Sequence, residues 1–269
     1  MKKTILITGA TDGIGLEIAK LLASAGHDLL IHGRNLEKLN LVKSLLTEIP
    51  NAGSIKSYLA DLSVFSDIKK LVEDIKNDHK SLDVLINNAG IFKTNNAITG
   101  DGLDIRFVVN TIAPYIFAQE FSPLLGSSGR IINLSSAAQA PVNIEALLGK
   151  TQLTDMEAYS QSKLAITMWS KVLADKTGVK GPIIIAVNPG SLLASKMVKE
   201  GFGIEGHDLA IGAKILIRMA LEDDIPEYSG EYFDNDIGQF SQPHPDGVNL
   251  KKSVEVVETI ESLIKDNLT

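Results

Sequence analysis

The chain has 269 residues, of which 44% are hydrophobic and 22% charged, and it carries a net charge of −7 with no cysteine. This length suits one large α/β domain or two small ones, and the composition is that of a globular protein. The acidic balance argues against a nucleic-acid surface, and the lack of cysteine excludes disulfides and thiolate metal sites.

The amino terminus does not match a targeting segment. Lys2 and Lys3 resemble the charged start of a signal peptide, but only Thr4 to Ile7 separate them from Gly9, which is too short for its apolar segment. No apolar run reaches the length that spans a membrane. The five histidines have no i, i+4 pairing, so no metal site is predicted. We therefore expect a cytoplasmic protein without a bound metal.

Short apolar strands alternate with amphipathic helices along the chain. The predicted strands are residues 3–8, 28–33, 55–60, 82–87, 130–135, 183–188 and 231–233. Apolar residues with a 3.6-residue period predict helices at about 13–25, 35–49, 64–75, 105–121 and 209–221. Asp61 or Ser63 is the predicted cap of the third helix. A further helix begins just before Tyr159, and residues 144–148 form a short one.

This alternation indicates the fold class. Strands that are apolar throughout and joined by helices are typical of a buried parallel sheet with helices on both faces. We predict an α/β fold, a single doubly wound Rossmann-type domain over residues 1–269 with a parallel sheet of about seven strands. Residues 196–206 contain three glycines and are predicted to form a substrate lid. Residues 239–269 form a predicted C-terminal extension that ends in a helix.

The turn from the first strand to the first helix is rich in glycine. Residues 8–15 read Thr-Gly-Ala-Thr-Asp-Gly-Ile-Gly. Glycine lets the backbone turn tightly and approach a pyrophosphate, which then rests on the helix N-terminus. A tight strand-to-helix connection alone could have the same composition. The position at the first such turn favours dinucleotide binding, although three residues rather than one separate Gly9 from Gly13.

Tyr159 and Lys163 stand four residues apart on one predicted helix. Thr154 and Glu157 have the spacing of a capping box, which predicts that the helix starts there. Residues at i and i+4 point to the same side of a helix. A cation about 5 Å from a phenol contributes roughly 3 kcal/mol at an effective dielectric of about 20, which lowers its pKa by roughly two units. Taken alone, this spacing occurs by chance in many helices.

Six landmarks in order over residues 4–235 together resemble the short-chain dehydrogenase/reductase family. They are the T-G-x-x-x-G-x-G turn, Asn87-Asn88-Ala89-Gly90, Asn110, Ser135-Ser136, Tyr159-x-x-x-Lys163 and Asn188-Pro189-Gly190. The long approach to the tyrosine and the Pro-Gly-x-x-x-x-Ser segment resemble the retinol-dehydrogenase-like members. The resemblance implies an oxidoreductase that transfers hydride between a nicotinamide cofactor and a carbonyl or alcohol. Alternatives on this fold are a dinucleotide sensor without turnover, and an epimerase or dehydratase.

The resemblance implies catalytic roles for four residues. Tyr159 would be the general acid or base, and Lys163 would bind the nicotinamide ribose and lower the pKa of Tyr159. Ser136 would stabilise charge on the substrate oxygen, with Ser135 as the competing choice. Asn110 would hold a water that relays protons to Lys163. The alternative for Asn110 is a structural asparagine that satisfies a neighbouring backbone group.

The resemblance also implies which residues bind the cofactor. They come from the glycine turn, the strand ends and the catalytic helix: Gly9, Thr11, Asp12, Gly13, Ile14, Gly15, Arg34, Asp61, Leu62, Asn88, Ala89, Gly90, Tyr159, Lys163, Pro189, Gly190, Leu192 and Ser195. A carboxylate after the second strand would bind a ribose hydroxyl, whereas Arg34 there suits a 2′-phosphate. NADP(H) is therefore favoured over NAD(H). Asp12 opposes this choice, because many NADP-using members have a basic residue at that position.

Two apolar features bear on the partners. Met197, Val198 and Phe202 in the predicted lid favour a lipophilic carbonyl or alcohol as the substrate. The helix that carries Tyr159 is apolar around much of its circumference, which is expected of a helix that is buried or forms a subunit interface. We therefore expect a homodimer or homotetramer. The residues between Ser136 and Tyr159 are the other region in which the substrate would be chosen.

Overall fold

The computed structural model describes residues 1–194, 203 and 206–268 of the chain. Within them, eight strands form one sheet in the order β3-β2-β1-β4-β5-β6-β7-β8. The strands are β1 Thr4–Ile7, β2 Asp28–Gly33, β3 Ile55–Leu59, β4 Val84–Asn87, β5 Arg130–Leu134, β6 Ile183–Asn188, β7 Tyr232–Asp234 and β8 Gln239–Ser241. The first seven pair in parallel, and β8 pairs antiparallel with β7.

Helices follow the strands as the apolar period predicts. They are α1 Gly13–Ser24, α2 Leu36–Thr47, α3 Phe65–Asp78, α4 Ile105–Phe107, α5 Ala113–Leu125, α6 Ile144–Leu147, α7 Asp155–Thr177, α8 Leu209–Leu221 and α9 Leu250–Leu268. Short 3₁₀ turns occur at Gly178–Lys180, Ile225–Tyr228 and Pro245–Val248, and a π-helix at Val108–Ile112.

The sheet has a separate hydrophobic core on each face. Because side chains alternate along a strand, Ile5 and Ile7 of β1 pack on one face and Leu6 on the other. The first face is covered by α1, α2 and α8, and the second by α3, α5, α7 and α9. This arrangement confirms the predicted doubly wound α/β fold.

The eighth strand comes from the segment that we predicted as a separate extension. Phe240 of β8 lies opposite Phe233 of β7 in an antiparallel register, so residues 239–241 continue the sheet. The two rings are 5.1 Å apart and nearly perpendicular. The strand has only three residues, of which one is exposed, and it shows no apolar run. Length and pattern therefore gave no signal for it.

The predicted cap of the third helix is wrong. The helix starts at Phe65, and its N-cap is Val64, whose side chain makes no capping hydrogen bond. Asp61 instead accepts hydrogen bonds from the amide and hydroxyl of Ser63, at 2.9 and 2.7 Å. The two polar residues therefore form a local Asx turn before the helix.

The helix predicted over 105–121 is interrupted and extends to Leu125. In the π-helix between α4 and α5, the amide of Ala113 donates to the carbonyl of Val108, five residues back. Pro114 follows and carries no N–H, so the carbonyl of Asn110 lacks the donor that an α-helix would supply at i+4. The apolar period continues through the interruption, and this is why the sequence pattern showed one helix.

The apolar circumference of α7 is largely covered within the chain. One side packs on the sheet and the other meets α9, whose buried residues include Val256 and Ile260. The hydroxyl of Tyr115 on α5 donates to Glu261 of α9 at 2.7 Å, which fixes α9 beside this layer. Assembly into a homodimer or homotetramer stays a prediction.

Two further predictions concern the cellular location of the protein and its substrate lid. Among the described helices, none has both the length and the apolar character required to cross a bilayer. A cytoplasmic location stays a prediction. The predicted lid at 196–206 lies outside the described residues except for Gly203 and Gly206.

Candidate active site

A cleft lies where the strand order reverses between β1 and β4, at the carboxyl ends of the parallel strands. This switch point is where open α/β sheets bind ligands. The cleft has a volume of about 690 Å³. The predicted cofactor residues that line it are Gly9, Thr11, Asp12, Gly13, Ile14, Gly15, Arg34, Asp61, Leu62, Asn88, Ala89, Gly90, Tyr159, Lys163 and Pro189.

The glycine turn leaves no room for side chains on its inner side. Gly9 has φ +65°, and a Cβ there would lie 2.8 Å from the Cα of Ala89. A Cβ on Gly15 would lie 2.2 Å from the carbonyl oxygen of Gly9 and 2.4 Å from the amide nitrogen of the Asn88 side chain. That Asn88 amide donates to the carbonyls of Thr8 and Gly9, at 2.9 Å each. The turn is therefore held against the end of β4 with its backbone facing the cleft.

His32 is a cleft residue that we did not predict. The amide of Gly9 donates to His32 Nδ1 at 3.2 Å, so Nε2 carries the ring proton and donates to the carbonyl of Ala60 at 3.1 Å. Burial lowers the pKa of His32 to about 4, which keeps the ring neutral. The imidazole thus joins the ends of β1, β2 and β3. Its role depends on contacts between strands, and no local pattern marks it.

The end of the cleft beside β2 carries two cations. Arg34 follows β2, and Lys38 stands four residues later on α2. Lys38 Nζ lies 3.4 Å from the carboxylate of Asp12, and both side chains are exposed. The other oxygen of Asp12 accepts from the amide of Gly13 at 2.9 Å and caps α1. Asp12, whose negative charge argued against a 2′-phosphate site, therefore has Lys38 as a cationic neighbour. Lys38 was missed, although its i+4 spacing from Arg34 is visible in the sequence.

The opposite end of the cleft holds Tyr159 and Lys163. Lys163 Nζ lies 5.7 Å from the centre of the Tyr159 ring and donates to the carbonyl of Leu134 at 2.7 Å. Burial raises the pKa of Tyr159, and a hydrogen bond with Ser136 acts in the lowering direction. The net direction is opposite to the one expected from Lys163 alone. Burial also lowers the pKa of Lys163 to about 8, because the ammonium is desolvated together with the phenol.

The two adjacent serines after β5 have different surroundings. The hydroxyl of Ser135 is buried, donates to the carbonyl of Lys163 at 2.9 Å and pairs with the Thr167 hydroxyl at 2.7 Å. Ser136 is half-buried and forms a hydrogen bond with Tyr159. Its carbonyl accepts from the Tyr232 hydroxyl at 3.0 Å. Ser135 lines the cleft, but its hydroxyl ties the strand end to α7, whereas the hydroxyl of Ser136 meets Tyr159. Contact of Ser136 with a substrate stays a prediction.

Asn110 lies in the π-helix and is 1% exposed. Its side chain accepts from the amide of Ile91 at 2.8 Å and donates to the carbonyl of Ile91 at 3.0 Å and to the Ser162 hydroxyl at 2.9 Å. The side chain therefore binds a neighbouring backbone segment, which is the structural alternative considered above. The role predicted for Asn110 in holding a water stays a prediction.

The segment after β4 forms a wall of the cleft that the sequence did not assign. Ile91, Phe92, Lys93 and Thr94 line it together with Val109. The ring centre of Phe92 lies 5.1 Å from that of Tyr159. This wall is apolar next to the phenol and carries a cation further out.

Of the described residues that were predicted to bind the cofactor from the loop after β6, Pro189 alone lines the cleft. Gly190 has φ 124° and Leu192 has φ 54°, and neither lines the cleft. Asp236 holds this loop by accepting from the amide and hydroxyl of Ser191, at 2.7 and 2.5 Å. Ser195 lies outside the described residues. In the part of the chain that the structure describes, no group of three or more acidic, histidine or cysteine residues could hold a metal ion.

Comparisons with known proteins agree with this geometry. The family model described as short chain dehydrogenase matches residues 3–202. Retinol dehydrogenase 13 of Homo sapiens is 29% identical over 254 residues, which cover 86% of this chain and 76% of the relative. Short-chain dehydrogenase chry4 of Gibberella zeae is 29% identical over 265 residues, which cover 96% of each chain.

A solved structure is similar over the same region. A short chain dehydrogenase of Shigella flexneri complexed with NADP has a TM-score of 0.70 and 25% identity, covering 87% of this chain and 96% of that one. The family model spans more than half of the chain, and retinol dehydrogenases are among the relatives, as the landmarks predicted. The protein therefore belongs to the short-chain dehydrogenase/reductase family.

Proposed function

We propose that this protein is an NADP(H)-dependent oxidoreductase that reduces a carbonyl or oxidises an alcohol, with Tyr159 as the general acid or base. One observation carries the proposal. Tyr159, hydrogen-bonded to Ser136 and with Lys163 Nζ 5.7 Å from its ring, lines the same cleft as the glycine turn. A phenol, a hydroxyl and an ammonium beside one cleft are the groups required for proton transfer to a carbonyl oxygen.

The residues present fit a dinucleotide. Glycine at position 15 lets the turn pack directly against Gly9 and Asn88, and the turn leads into the N-terminus of α1, where amide groups bind phosphate. Arg34 and Lys38 would hold a 2′-phosphate at one end of the cleft, and Lys163 would hold a ribose at the other. When bound, the nicotinamide supplies or accepts the hydride. The similar Shigella flexneri structure contains NADP, which supports this choice.

The protein's own residues control the proton. Because burial raises the pKa of Tyr159, the phenol is protonated at neutral pH, and this is the form that donates to a carbonyl oxygen. Ser136 would donate to the same oxygen and stabilise the charge that develops there. The ammonium of Lys163 would stabilise the tyrosinate left after transfer. In alcohol oxidation, the same groups would act in the reverse direction.

The substrate side of the cleft favours a lipophilic molecule. Phe92, which packs on Tyr159, and Val109 both line the cleft with apolar side chains. Relatives named retinol dehydrogenase support the same class. The first compounds to test are therefore retinal, decanal and 2-decanone, with the corresponding alcohols for the reverse direction. A change in the absorbance of NADPH during turnover would distinguish a hydride-transferring enzyme from a dinucleotide sensor, an epimerase or a dehydratase.

The cofactor choice has its own test. We expect kcat/KM to favour NADPH over NADH, and Arg34→Asp to lower kcat/KM for NADPH by about 100-fold while changing that for NADH far less, because a charge-assisted contact is replaced by repulsion. Lys43→Asp, at an exposed position of α2, makes the same change in charge outside the cleft and serves as the control. A preference for NADH, or equal losses in the two variants, would contradict the phosphate site.

A further inference from the structure

Arg106 is a buried cation outside the residues assigned above. It lies in α4, directly before the π-helix, and its side chain is 1% exposed. Nε and Nη2 donate to the two carboxylate oxygens of Asp104, at 2.8 and 2.6 Å. Nη1 donates to the carboxylate of Asp155 and lies 3.4 Å from the carbonyl oxygen of Phe92. One guanidinium thus contacts two carboxylates and one main-chain carbonyl.

These contacts join three segments of the chain that are far apart in sequence. Asp104 is the N-cap of α4, Phe92 belongs to the cleft wall after β4, and Asp155 is the first residue of α7. A buried charge is retained only where its partners are well placed, and the planar fork of arginine can serve several partners at once. The site therefore fixes the relative positions of the cleft wall and the start of α7.

Both of the elements held by Arg106 touch Tyr159. Asp155 and Tyr159 are i and i+4 on α7, so they lie one above the other on the same face. Phe92, whose carbonyl faces the guanidinium, packs its ring 5.1 Å from that of Tyr159. Arg106 therefore holds both the helical turn that carries the phenol and the ring that packs against it.

We infer that Arg106 is a positioning residue for Tyr159, acting through Asp155 and the Phe92 segment. The inference rests on the proposed function, because it concerns the placement of the proposed acid. A displacement of about 1 Å of a catalytic group can lower a rate by about 100-fold even when the change is made at a distance. A cluster with only a folding role would lower stability and leave the rate and its pH dependence unchanged.

The test compares two buried arginines. Arg106→Gln removes the guanidinium that contacts Asp104 and Asp155. Arg130→Gln removes a cation that is 7% exposed and donates to the carbonyl of Met219. Arg130 begins β5, about 13 Å along the strand from Leu134 at the cleft. With whichever of retinal, decanal or 2-decanone the wild type reduces fastest, we expect only Arg106→Gln to lower kcat, by about 10- to 100-fold, with the KM for NADPH nearly unchanged. Its pH–rate profile should also shift.

A second variant keeps the test decisive if Arg106→Gln does not fold. Asp155 is 43% exposed, so Asp155→Asn should fold and still weaken the link to α7. We expect it to reproduce part of the loss in kcat, and the double variant to be no slower than Arg106→Gln alone, because both changes break one network. Additive losses, or a wild-type kcat and pH profile in Asp155→Asn, would overturn the inference.

A spectroscopic measurement separates this inference from the proposed function. The chain has five tyrosines, so the ring resonance of Tyr159 in protein labelled with [¹³Cζ]tyrosine can be assigned by its loss in Tyr159→Phe. We expect Arg106→Gln and Asp155→Asn to move that resonance, and Arg130→Gln to leave it in place. This result would stand even if no compound were turned over. An unmoved resonance in both variants would contradict the positioning role independently of the catalytic one.

Discussion

Adjacent residues of the same type have different roles when their side chains face opposite sides of a strand end. Ser135 is engaged with the main chain of Lys163, and Ser136 meets Tyr159. We expect Ser136→Ala to lower kcat by about 10²- to 10³-fold, as for loss of an oxyanion donor, with little effect on stability. The matched change Ser135→Ala should lower the free energy of unfolding by roughly 1–2 kcal/mol. Steady-state kinetics and urea unfolding of both variants measure these effects. A large loss in kcat for Ser135→Ala with little change for Ser136→Ala would contradict the role given to Ser136.

His32 predicts a pH dependence of stability at the residue scale. Its pKa is about 4 in the folded protein, below the ordinary histidine value of about 6.5, so the unfolded chain binds a proton first as the pH falls. The stabilisation is complete above about pH 6.5 and is lost as the pH falls toward 4, by up to roughly 3 kcal/mol.

Urea unfolding at pH 7 and pH 5 measures this effect. The wild type should lose roughly 2 kcal/mol from this residue between the two pH values, and His32→Gln should show a smaller loss by that amount. His32→Gln should also be less stable at pH 7, because the amide of Gly9 loses its partner. An equal loss in both proteins would show that His32 is not the group that titrates.

At the scale of elements, α9 completes the layer around α7. Ile260 is 0% exposed in the core that α9 shares with α7, whereas Glu258 on the same helix is exposed. We expect Ile260→Ala to lower the free energy of unfolding by about 2–5 kcal/mol and Glu258→Ala by less than about 0.5 kcal/mol. Chemical denaturation of both variants measures the difference. Similar values would show that α9 is not part of the cooperative fold.

The elements differ in how far the sequence could predict them. Strands such as β1 and β6 are apolar throughout, and local pattern was enough to place them within a few residues. The three-residue strand β8 and the π-helix at Val108–Ile112 leave no change in the apolar period, so they could not be predicted. In the last helix, Val254 and Ile264 are half-buried, while Val256 and Leu263 are buried. Which face of this helix is buried depends on the elements that pack against it, and the local sequence pattern does not identify those elements.

The candidate site divides in the same way. The glycine turn, Tyr159 and Lys163 could be predicted to lie in one cleft because they belong to the landmarks that resemble the family, and Arg34 because it directly follows a predicted strand. His32 and Arg106 could not be assigned, because their contacts join segments that only the folded chain brings together. The direction of the Tyr159 pKa shift was also missed. Helical spacing gave the distance to the cation but not the burial of both groups.

At the scale of the whole molecule, the parallel sheet brings the ends of separate strands to one edge. The glycine turn follows β1, Arg34 follows β2, the apolar wall follows β4 and Ser135 follows β5. Residues far apart in sequence thereby line one cleft with cations at one end and a phenol at the other. This arrangement supports the proposal that the fold aligns a dinucleotide with a proton donor.

Turnover by Tyr159→Phe tests the central claim most directly. The wild type and this variant should be compared for NADPH-dependent reduction of the best compound among retinal, decanal and 2-decanone, with NADPH affinity measured separately. Tyr228→Phe removes a hydroxyl from a ring that stacks on Phe240 and serves as the control. We predict that Tyr159→Phe lowers kcat/KM by about 10²- to 10⁴-fold with NADPH binding retained, and that Tyr228→Phe stays close to the wild type. Turnover by Tyr159→Phe close to that of the wild type would contradict the proposal that this phenol transfers the proton.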